Sequence, residues 1–289
     1  MTATTAIAIP VARAVQAAPG PGEFPEFPWI PSGQRPEPPG PLAATAAFGW
    51  RALLKIRHVP EMLFDVIAIP VVFTLMFTYL FGGAVAGSTH QYLQFILPGT
   101  LTMSVLLVSM YAGVGLNADV SKGITDRFRA LPVWRAAPVA GALLGDVARY
   151  LIAGSLVTAI GVAMGYRPAG GAPGALAAVG LLLVFALCLS WAWTALGLTL
   201  RTQQAVMSVT TVVLFPLTLA TNVFVAPSTM PGWLQVFVHA NPVSHLVTAE
   251  RGLMAGHPFA GQVTWVLLAA AALVAVFAPL TAWLYGRRR

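Results

Sequence analysis

The feature that most constrains this chain is a series of apolar blocks, each close to the length that crosses a lipid bilayer. A spanning α-helix needs about 20 consecutive, mainly apolar residues. Six stretches approach or exceed that length: 62–82, 93–115, 142–165, 174–200, 205–225 and 262–285. Only 9% of the residues are charged, whereas a soluble domain carries roughly 25%. The sequence therefore predicts an all-α membrane protein with six transmembrane helices.

The basic residues predict the orientation of these helices. If all six blocks span, most basic residues fall in the connections on one side of the membrane. They are Arg51, Lys55, Arg57, Lys122, Arg127, Arg129, Arg135, Arg201, Arg287, Arg288 and Arg289. The opposite side holds only Arg167 and Arg251. The positive-inside rule then predicts that both termini are cytoplasmic in a bacterial plasma membrane. Because the net charge of +7 comes from the ends of apolar blocks, we expect no nucleic-acid partner.

The chain divides into a tail and a transmembrane domain. Nine prolines lie between Pro19 and Pro41, and such a segment neither propagates a helix nor buries a core. We therefore predict a disordered, Pro-rich cytoplasmic tail at 1–41 and a transmembrane domain at 42–289. The domain begins with a predicted interfacial helix at 42–59, because apolar and basic residues alternate there around Trp50.

Two connections carry more structure than a simple loop. Residues 116–141 mix charged and apolar residues, which predicts a short cytoplasmic helix or helix pair. Residues 226–260 are mainly apolar but are broken by prolines and glycines, which predicts short extracellular re-entrant helices between spans five and six. The residue before a proline avoids helical geometry, so we expect the break between them at Asn241–Pro242. Ser244 is expected to cap the second helix, with Glu250 and Arg251 at its wetter end.

The sequence contains little that suggests catalysis. It has no G-x-x-x-x-G-K-[ST] phosphate loop and no H-E-x-x-H metal motif, so we expect neither nucleotide hydrolysis by that route nor a metal site. Asp146 and Arg149 lie three residues apart near the start of the third block, on one face of a helix. This intramembrane charged pair has two open interpretations, a structural ion pair or a functional site.

Two stretches carry a resemblance to a known family. Residues 123–135 (GITDRFRALPVWR) and 145–149 (GDVAR) resemble the cytoplasmic coupling segment of ABC-2 type ABC transporter permeases, especially the daunorubicin-resistance-like membrane subunits. Residues 230–234 (MPGWL), 241–245 (NPVSH) and 251–256 (RGLMAG) are similar to the extracellular segment that precedes the last span in that family. The resemblance covers about residues 45–289.

The resemblance implies an ABC exporter permease that moves a hydrophobic or amphiphilic, drug-like molecule out of the cell. Two copies would pair in the lipid membrane with separate ATP-binding subunits, so this chain would hold no cofactor and would not itself be an enzyme. The implied residues of the ATPase-coupling segment are Arg127, Phe128, Arg129, Leu131 and Pro132. Those of the outer re-entrant segment are Trp233, Asn241, Pro242 and Arg251.

Alternative functions stay open on the sequence alone. An exporter of lipid or polysaccharide would have the same architecture. A secondary transporter is less favoured, because spans two, four, five and six contain no acidic residue at mid-membrane depth. An intramembrane enzyme would need a cluster of His, Asp or Glu residues on facing helices, and the sequence does not suggest one.

Overall fold

The computed structural model describes residues 40–58, 60–124, 137–225 and 227–287, and all regular structure in these residues is helical. Ten α-helices follow one another along this part of the chain. They are α1 (Pro41–His58), α2 (Pro60–Ala86), α3 (Thr89–Ser109), α4 (Tyr111–Ser121), α5 (Ala137–Ala163), α6 (Gly171–Thr199), α7 (Gln203–Leu219), α8 (Gly232–Ala240), α9 (Pro242–Met254) and α10 (Ala260–Arg287). A short 3-10 turn, Pro227–Thr229, precedes α8. The predicted all-α class is confirmed.

Four helical stretches in the described residues are long and apolar enough to cross a membrane. They are Thr89–Ser121, Gly141–Ala163, Gly171–Thr199 and Ala260–Arg287. Two further apolar stretches are shorter, namely Val71–Gly83 within α2 and all of α7. The second predicted block is longer than expected, because α4 continues α3 after a break at Met110 and ends only at Ser121.

The helices differ in how deeply they are enclosed. In the stretch formed by α3 and α4, 89% of the most apolar window is buried by other helices, against 11% in α10. Leu97 and Leu101 of α3 pack with Tyr150 of α5 and Phe185 of α6 in the main hydrophobic core. Helices α3 and α4 therefore occupy the centre of the bundle, and α10 lies at its periphery.

Small residues allow two close contacts between helices. On α5, a Cβ atom at Gly145 would lie 2.5 Å from the Ala52 Cβ of α1, and one at Gly141 would collide with Phe48. On α4, a Cβ at Gly113 would strike the backbone of α6, and one at Gly197 of α6 would strike the Gly113 carbonyl. Close backbone approach through small residues is a common way of packing membrane helices. Here it attaches α1 to α5 and α4 to α6.

The fifth predicted block is wrong at its carboxyl end. The sequence predicts a helix to residue 225, but α7 ends at Leu219 and residues 220–225 have no regular structure. We call residues 220–225 the unwound segment. The chain can leave the helix here because side chains from other helices bind the carbonyl groups that the next helical turn would otherwise satisfy. These side chains form the candidate functional site.

Candidate functional site

Asn241 joins the end of α7 to the start of α9. Its Nδ2 donates hydrogen bonds to the carbonyl oxygens of Leu217 (2.8 Å) and Ala220 (3.1 Å). Its Oδ1 accepts from the Val243 backbone N–H at 2.9 Å, so Asn241 is the N-cap of α9. The expectation that Ser244 caps this helix is wrong. A proline is favoured at the first helical position, and Pro242 there makes residue 241 the cap.

Arg251 links α9 to two other parts of the chain. Its Nε donates to the Phe95 carbonyl of α3 at 3.0 Å, and its Nη2 donates to the Val223 carbonyl of the unwound segment at 2.9 Å. The guanidinium lies 3.8 Å from the centroid of the Phe95 ring. Burial lowers the pKa of Arg251 to about 10, so the side chain stays protonated at neutral pH. It acts as a charged donor to backbone carbonyls.

Helix α3 offers the unwound segment two more contacts. The Tyr92 hydroxyl donates to the Phe224 carbonyl at 3.2 Å. A Cβ atom at Gly99 would lie 2.7 Å from a side-chain carbon of Val223, so only glycine lets the segment pack this closely. The unwound segment is therefore fixed by polar contacts and by a close fit against α3.

Glu250 is buried beside this junction. Its side chain is 0% exposed, its Oε2 lies 2.8 Å from the Thr102 hydroxyl oxygen of α3, and its Oε1 has no hydrogen-bond partner in the described part of the chain. Burial raises the pKa of this carboxyl well above its ordinary value, against the opposing effects of Thr102 and Arg251. The expectation that Glu250 lies at a wetter end is wrong, because its face of α9 packs on α3.

A protonated Glu250 completes a chain of hydrogen bonds. The Thr102 hydroxyl also lies 3.0 Å from the Pro98 carbonyl, and its one proton serves only one acceptor at a time. A carboxylic acid can donate to the Thr102 oxygen, which then donates to Pro98. The geometry and the raised pKa thus both favour the neutral acid.

Trp233, which is predicted to belong to the outer re-entrant segment, lies on α8. It is 75% exposed, and its apolar neighbours Val236 and Phe237 are 71% and 43% exposed. His245 of α9 lies 2.9 Å from the His239 carbonyl and stacks on Trp265 at 4.8 Å between ring centroids. Across the residues that the structure describes, no cluster of His, Cys, Asp or Glu is suited to a metal ion.

Asp146 and Arg149 form an ion pair on α5. Arg149 Nη1 lies 2.7 Å from Asp146 Oδ1, and the two side chains are 13% and 5% exposed for Arg149 and Asp146 respectively. The Nε of Arg149 is buried and has no hydrogen-bond acceptor among the described residues. The predicted coupling residues, Arg127 to Pro132, lie outside the residues that the structure describes.

Sequence reasoning missed the residues of α3 that complete the site. Thr102 lies within the predicted block 93–115, which is interpreted only as a spanning helix, and Tyr92 lies directly before it. Their one visible signal is polarity inside an apolar block, a signal shared by the hydroxyl residues Thr100 and Ser104, which bond to carbonyls of their own helix. The sequence alone does not separate these two groups.

Comparison with known proteins identifies relatives of the chain. Residues 43–255 match the ABC-2 type transporter family. The chain is 46% identical over 259 residues to the daunorubicin resistance ABC transporter permease protein DrrB1 of Streptomyces coeruleorubidus, covering 90% of this chain and 92% of that protein.

More distant relatives come from other bacteria. Identity is 25% over 204 residues to the probable doxorubicin resistance ABC transporter permease protein DrrC of Mycobacterium tuberculosis, covering 69% of this chain and 74% of the relative. It is 32% over 190 residues to the inner membrane transport permease YadH of Escherichia coli, covering 63% and 72% respectively.

Proposed function

The chain belongs to the ABC-2 type transporter family, and from this premise we propose that it is the permease subunit of an ATP-driven exporter of amphiphilic, drug-like molecules. It is a multi-pass membrane protein. The observation that carries the proposed substrate class is the 46% identity, over 90% of the chain, to a daunorubicin resistance permease. The relative is similar along nearly its whole length, so the likeness includes the spans as well as the connections.

ATP is bound and hydrolysed by a separate subunit in this proposal, and the permease holds no cofactor of its own. The absence of a phosphate loop from the sequence supports this division of labour. Residues 127–132 and helix α1 form the contact with the ATP-binding subunit, and two copies of the permease form the pathway. Residues 1–41 remain a cytoplasmic tail outside the transmembrane domain.

The proposed topology has six spans and cytoplasmic termini. The spans are α2, the α3–α4 pair, α5, α6, α7 and α10, while α8 and α9 enter the outer leaflet without crossing it. Support comes from the arginine distribution and from the shortness of α8 and α9, which have 9 and 13 residues. In this orientation, Asn241 and Arg251 hold the outer end of the pathway closed.

Efflux measurements test the proposed function. Cells that express the permease with its ATP-binding subunit should accumulate less daunorubicin than cells whose ATP-binding subunit has an inactivated nucleotide site. Equal accumulation would contradict drug export. If purified lipid or polysaccharide, but not daunorubicin, then stimulated ATP hydrolysis by the reconstituted complex, the alternative substrate class would replace it.

Two further experiments test the topology and the coupling segment. In a cysteine-free background, an impermeant maleimide should label Ala169→Cys and Ser228→Cys in intact cells, but Ser121→Cys only after lysis. The reverse pattern would overturn the orientation. The double variant Arg127→Gln, Arg129→Gln should insert normally but lose transport-linked ATP hydrolysis, whereas unchanged hydrolysis would reject the coupling role.

A further inference from the structure

The unwound segment contains buried backbone donors that have no acceptor. Thr221 and Asn222 are 1% and 7% exposed, yet their N–H groups, like those of Phe224 and Val225, have no acceptor among the residues that the structure describes. The Oδ1 atom of Asn222 is likewise buried without a donor in that part of the chain. Unpaired polar groups are rare in protein interiors, because each has given up a hydrogen bond to water. The unwound form of the segment is therefore incompletely satisfied.

A helical continuation of α7 would satisfy the same N–H groups. In an α-helix each N–H binds the carbonyl four residues earlier, so the N–H groups of Thr221 and Phe224 would bind the Leu217 and Ala220 carbonyls. These are the two carbonyls that the Asn241 side chain occupies in the unwound form, at 2.8 Å and 3.1 Å. Asn241 and the next helical turn therefore compete for the same two acceptors.

Pro227 limits how far the helix can continue. In a longer helix the Val223 carbonyl would need the N–H of residue 227, but proline has no N–H and its ring clashes with that carbonyl. Arg251 donates to the Val223 carbonyl in the unwound form, and it competes with no backbone donor for this acceptor. The longest continuation that the chain allows therefore ends near Val225, where the apolar block 205–225 also ends.

The length of α7 favours the longer helix in a membrane. Its 17 residues span about 26 Å at 1.5 Å per residue, which is less than the hydrocarbon core of about 30 Å. Six further residues would add about 9 Å. Each form therefore has something that the other lacks. The unwound form has the side-chain contacts to α3 and α9, and the helical form has complete backbone pairing and the length to span.

We propose that residues 220–225 switch between the unwound form and a helical extension of α7, and that Asn241 is the latch that holds the unwound form. Rewinding withdraws Val223 from Gly99 of α3, where the two residues pack closely because glycine has no side chain. The inference rests on the proposed function and deepens it, since in the proposed topology this segment lies at the outer end of the pathway and its rewinding opens that end.

Replacing Asn241 by aspartate reverses its chemistry at the latch. Asn241→Asp keeps an oxygen for the N-cap of α9, but it presents an oxygen instead of an N–H group to the Leu217 and Ala220 carbonyls. Hydrogen–deuterium exchange of the purified permease in lipid nanodiscs measures the result. If the segment rewinds, the amides of residues 221–225 gain acceptors, and their exchange should slow by at least about tenfold. If Asn241 only fixes the segment in place, the same variant should speed their exchange.

Asn117 provides the matched control. Its side chain also donates to two backbone carbonyls at the end of a helix, those of Gly197 and Leu200, at 2.9 Å and 2.8 Å. Asn117→Asp therefore makes the same chemical change at the end of α6. It should leave the exchange of residues 221–225 at the wild-type rate. Equal slowing in Asn117→Asp and Asn241→Asp would overturn the assignment of Asn241 as the latch.

Gly99 gives a second route to the helical form, which covers the case in which Asn241→Asp does not fold. Gly99→Ala places a Cβ atom 2.7 Å from a side-chain carbon of Val223, so it disfavours the unwound form without changing Asn241. This variant should also slow the exchange of residues 221–225. Faster exchange would show that the segment has no helical form to adopt.

Val225→Pro tests the opposite direction. It removes no hydrogen bond from the unwound form, because the Val225 N–H has no acceptor among the described residues, but a proline there blocks the last turn of the extended helix. Added to Asn241→Asp, it should cancel most of the slowing at the remaining amides. Alone, it should cut daunorubicin efflux by at least about fivefold, because a blocked conformational step limits turnover. Wild-type efflux in Val225→Pro would show that rewinding does not open the pathway.

The outcomes separate this inference from the proposed function. If wild-type cells export daunorubicin but neither Asn241→Asp nor Gly99→Ala slows exchange in residues 221–225, the switch is wrong and the export function stands. If cells show no efflux while both variants slow that exchange, the switch stands and the export function fails.

Discussion

Two acid–arginine pairs, one at each end of the bundle, have similar composition and opposite arrangements. On α5, Asp146 and Arg149 bind each other at 2.7 Å. On α9, Glu250 and Arg251 are adjacent in sequence, yet the carboxyl binds Thr102 while the guanidinium binds two backbone carbonyls. Residues three apart share a helix face, whereas adjacent residues do not. Sequence spacing thus decides whether opposite charges neutralise each other or serve separate neighbours.

This difference changes what each arginine does. Arg149 binds the Asp146 carboxylate through Nη1, and its buried Nε–H has no acceptor among the residues that the structure describes. Arg251 directs Nε and Nη2 at carbonyls from α3 and the unwound segment, so its contacts hold other parts of the chain in place. The α5 pair is therefore held together mainly by its own ion pair, while the α9 residues join separate parts of the chain.

Exchanging the acid and the arginine within each pair should give the largest difference in stability between the α5 pair and the α9 pair. Glu250→Arg with Arg251→Glu puts a buried arginine beside the Thr102 hydroxyl and a carboxylate against two backbone carbonyls. We expect this variant to lose more than about 4 kcal/mol of stability and to stop exporting. Asp146→Arg with Arg149→Asp keeps opposite charges three residues apart, so it should lose less than about 2 kcal/mol. Thermal unfolding in detergent and size-exclusion profiles measure both, and equal losses would contradict the comparison.

Removing Arg251 alone should have the next largest effect. Arg251→Gln leaves the Phe95 and Val223 carbonyls without their charged donor, which should destabilise the protein by about 3 kcal/mol. Arg167→Gln is the matched control, because among the described residues Arg167 donates to the carbonyls of Val162 and Tyr166, which are close to it in sequence. We expect its melting temperature to stay near that of the wild type. A similar drop in both variants would show that Arg251 has no special role in the junction.

Asn241 allows its two contacts to be separated. Asn241→Ala removes the α9 cap and the bonds to the α7 carbonyls, and should cost about 2 kcal/mol. Asn241→Ser keeps an N-capping oxygen but lacks the amide donor, so about half of the loss should be recovered. Melting temperatures of the two variants and the wild type decide this. Identical values for serine and alanine would mean that capping contributes nothing.

Replacing Glu250 should have its smallest effect at low pH, and the effect should grow as pH rises. Because the folded-state pKa of Glu250 is raised, the folded protein holds a proton that the unfolded chain releases, so stability should fall as pH rises towards that raised pKa. Glu250→Gln mimics the neutral acid. At low pH its free energy of unfolding should match that of the wild type within about 1 kcal/mol. As pH rises, the variant should become the more stable of the two. Parallel pH profiles of melting temperature would show that Glu250 does not titrate there.

The sequence predicted those features that depend on neighbouring residues. The break at Asn241–Pro242 appears between α8 and α9, because a proline constrains the residue directly before it. The spacing of Asp146 and Arg149 likewise places them on one face. The partners of Arg251 could not be predicted, since Phe95 lies 156 positions away along the chain. Such contacts depend on how whole helices pack.

The end of α7 shows the same limit. Residues 220–225 continue an apolar block, and their composition gives no sign that the helix stops at Leu219. What stops it is the supply of donors from Tyr92, Asn241 and Arg251, which come from two other helices. A local pattern cannot show a termination that is caused by remote side chains.

The crossing of α4 and α6 at Gly113 and Gly197 has a mechanical consequence. With backbone against backbone and no side chain between them, nothing at this point can yield by changing its rotamer. Asn117 on one side binds the Gly197 and Leu200 carbonyls, and Ser109 on the other side accepts from the Trp193 indole. The contact therefore fixes the point at which α4 and α6 cross, and any relative movement of the two helices there would require their backbones to separate and these flanking hydrogen bonds to break.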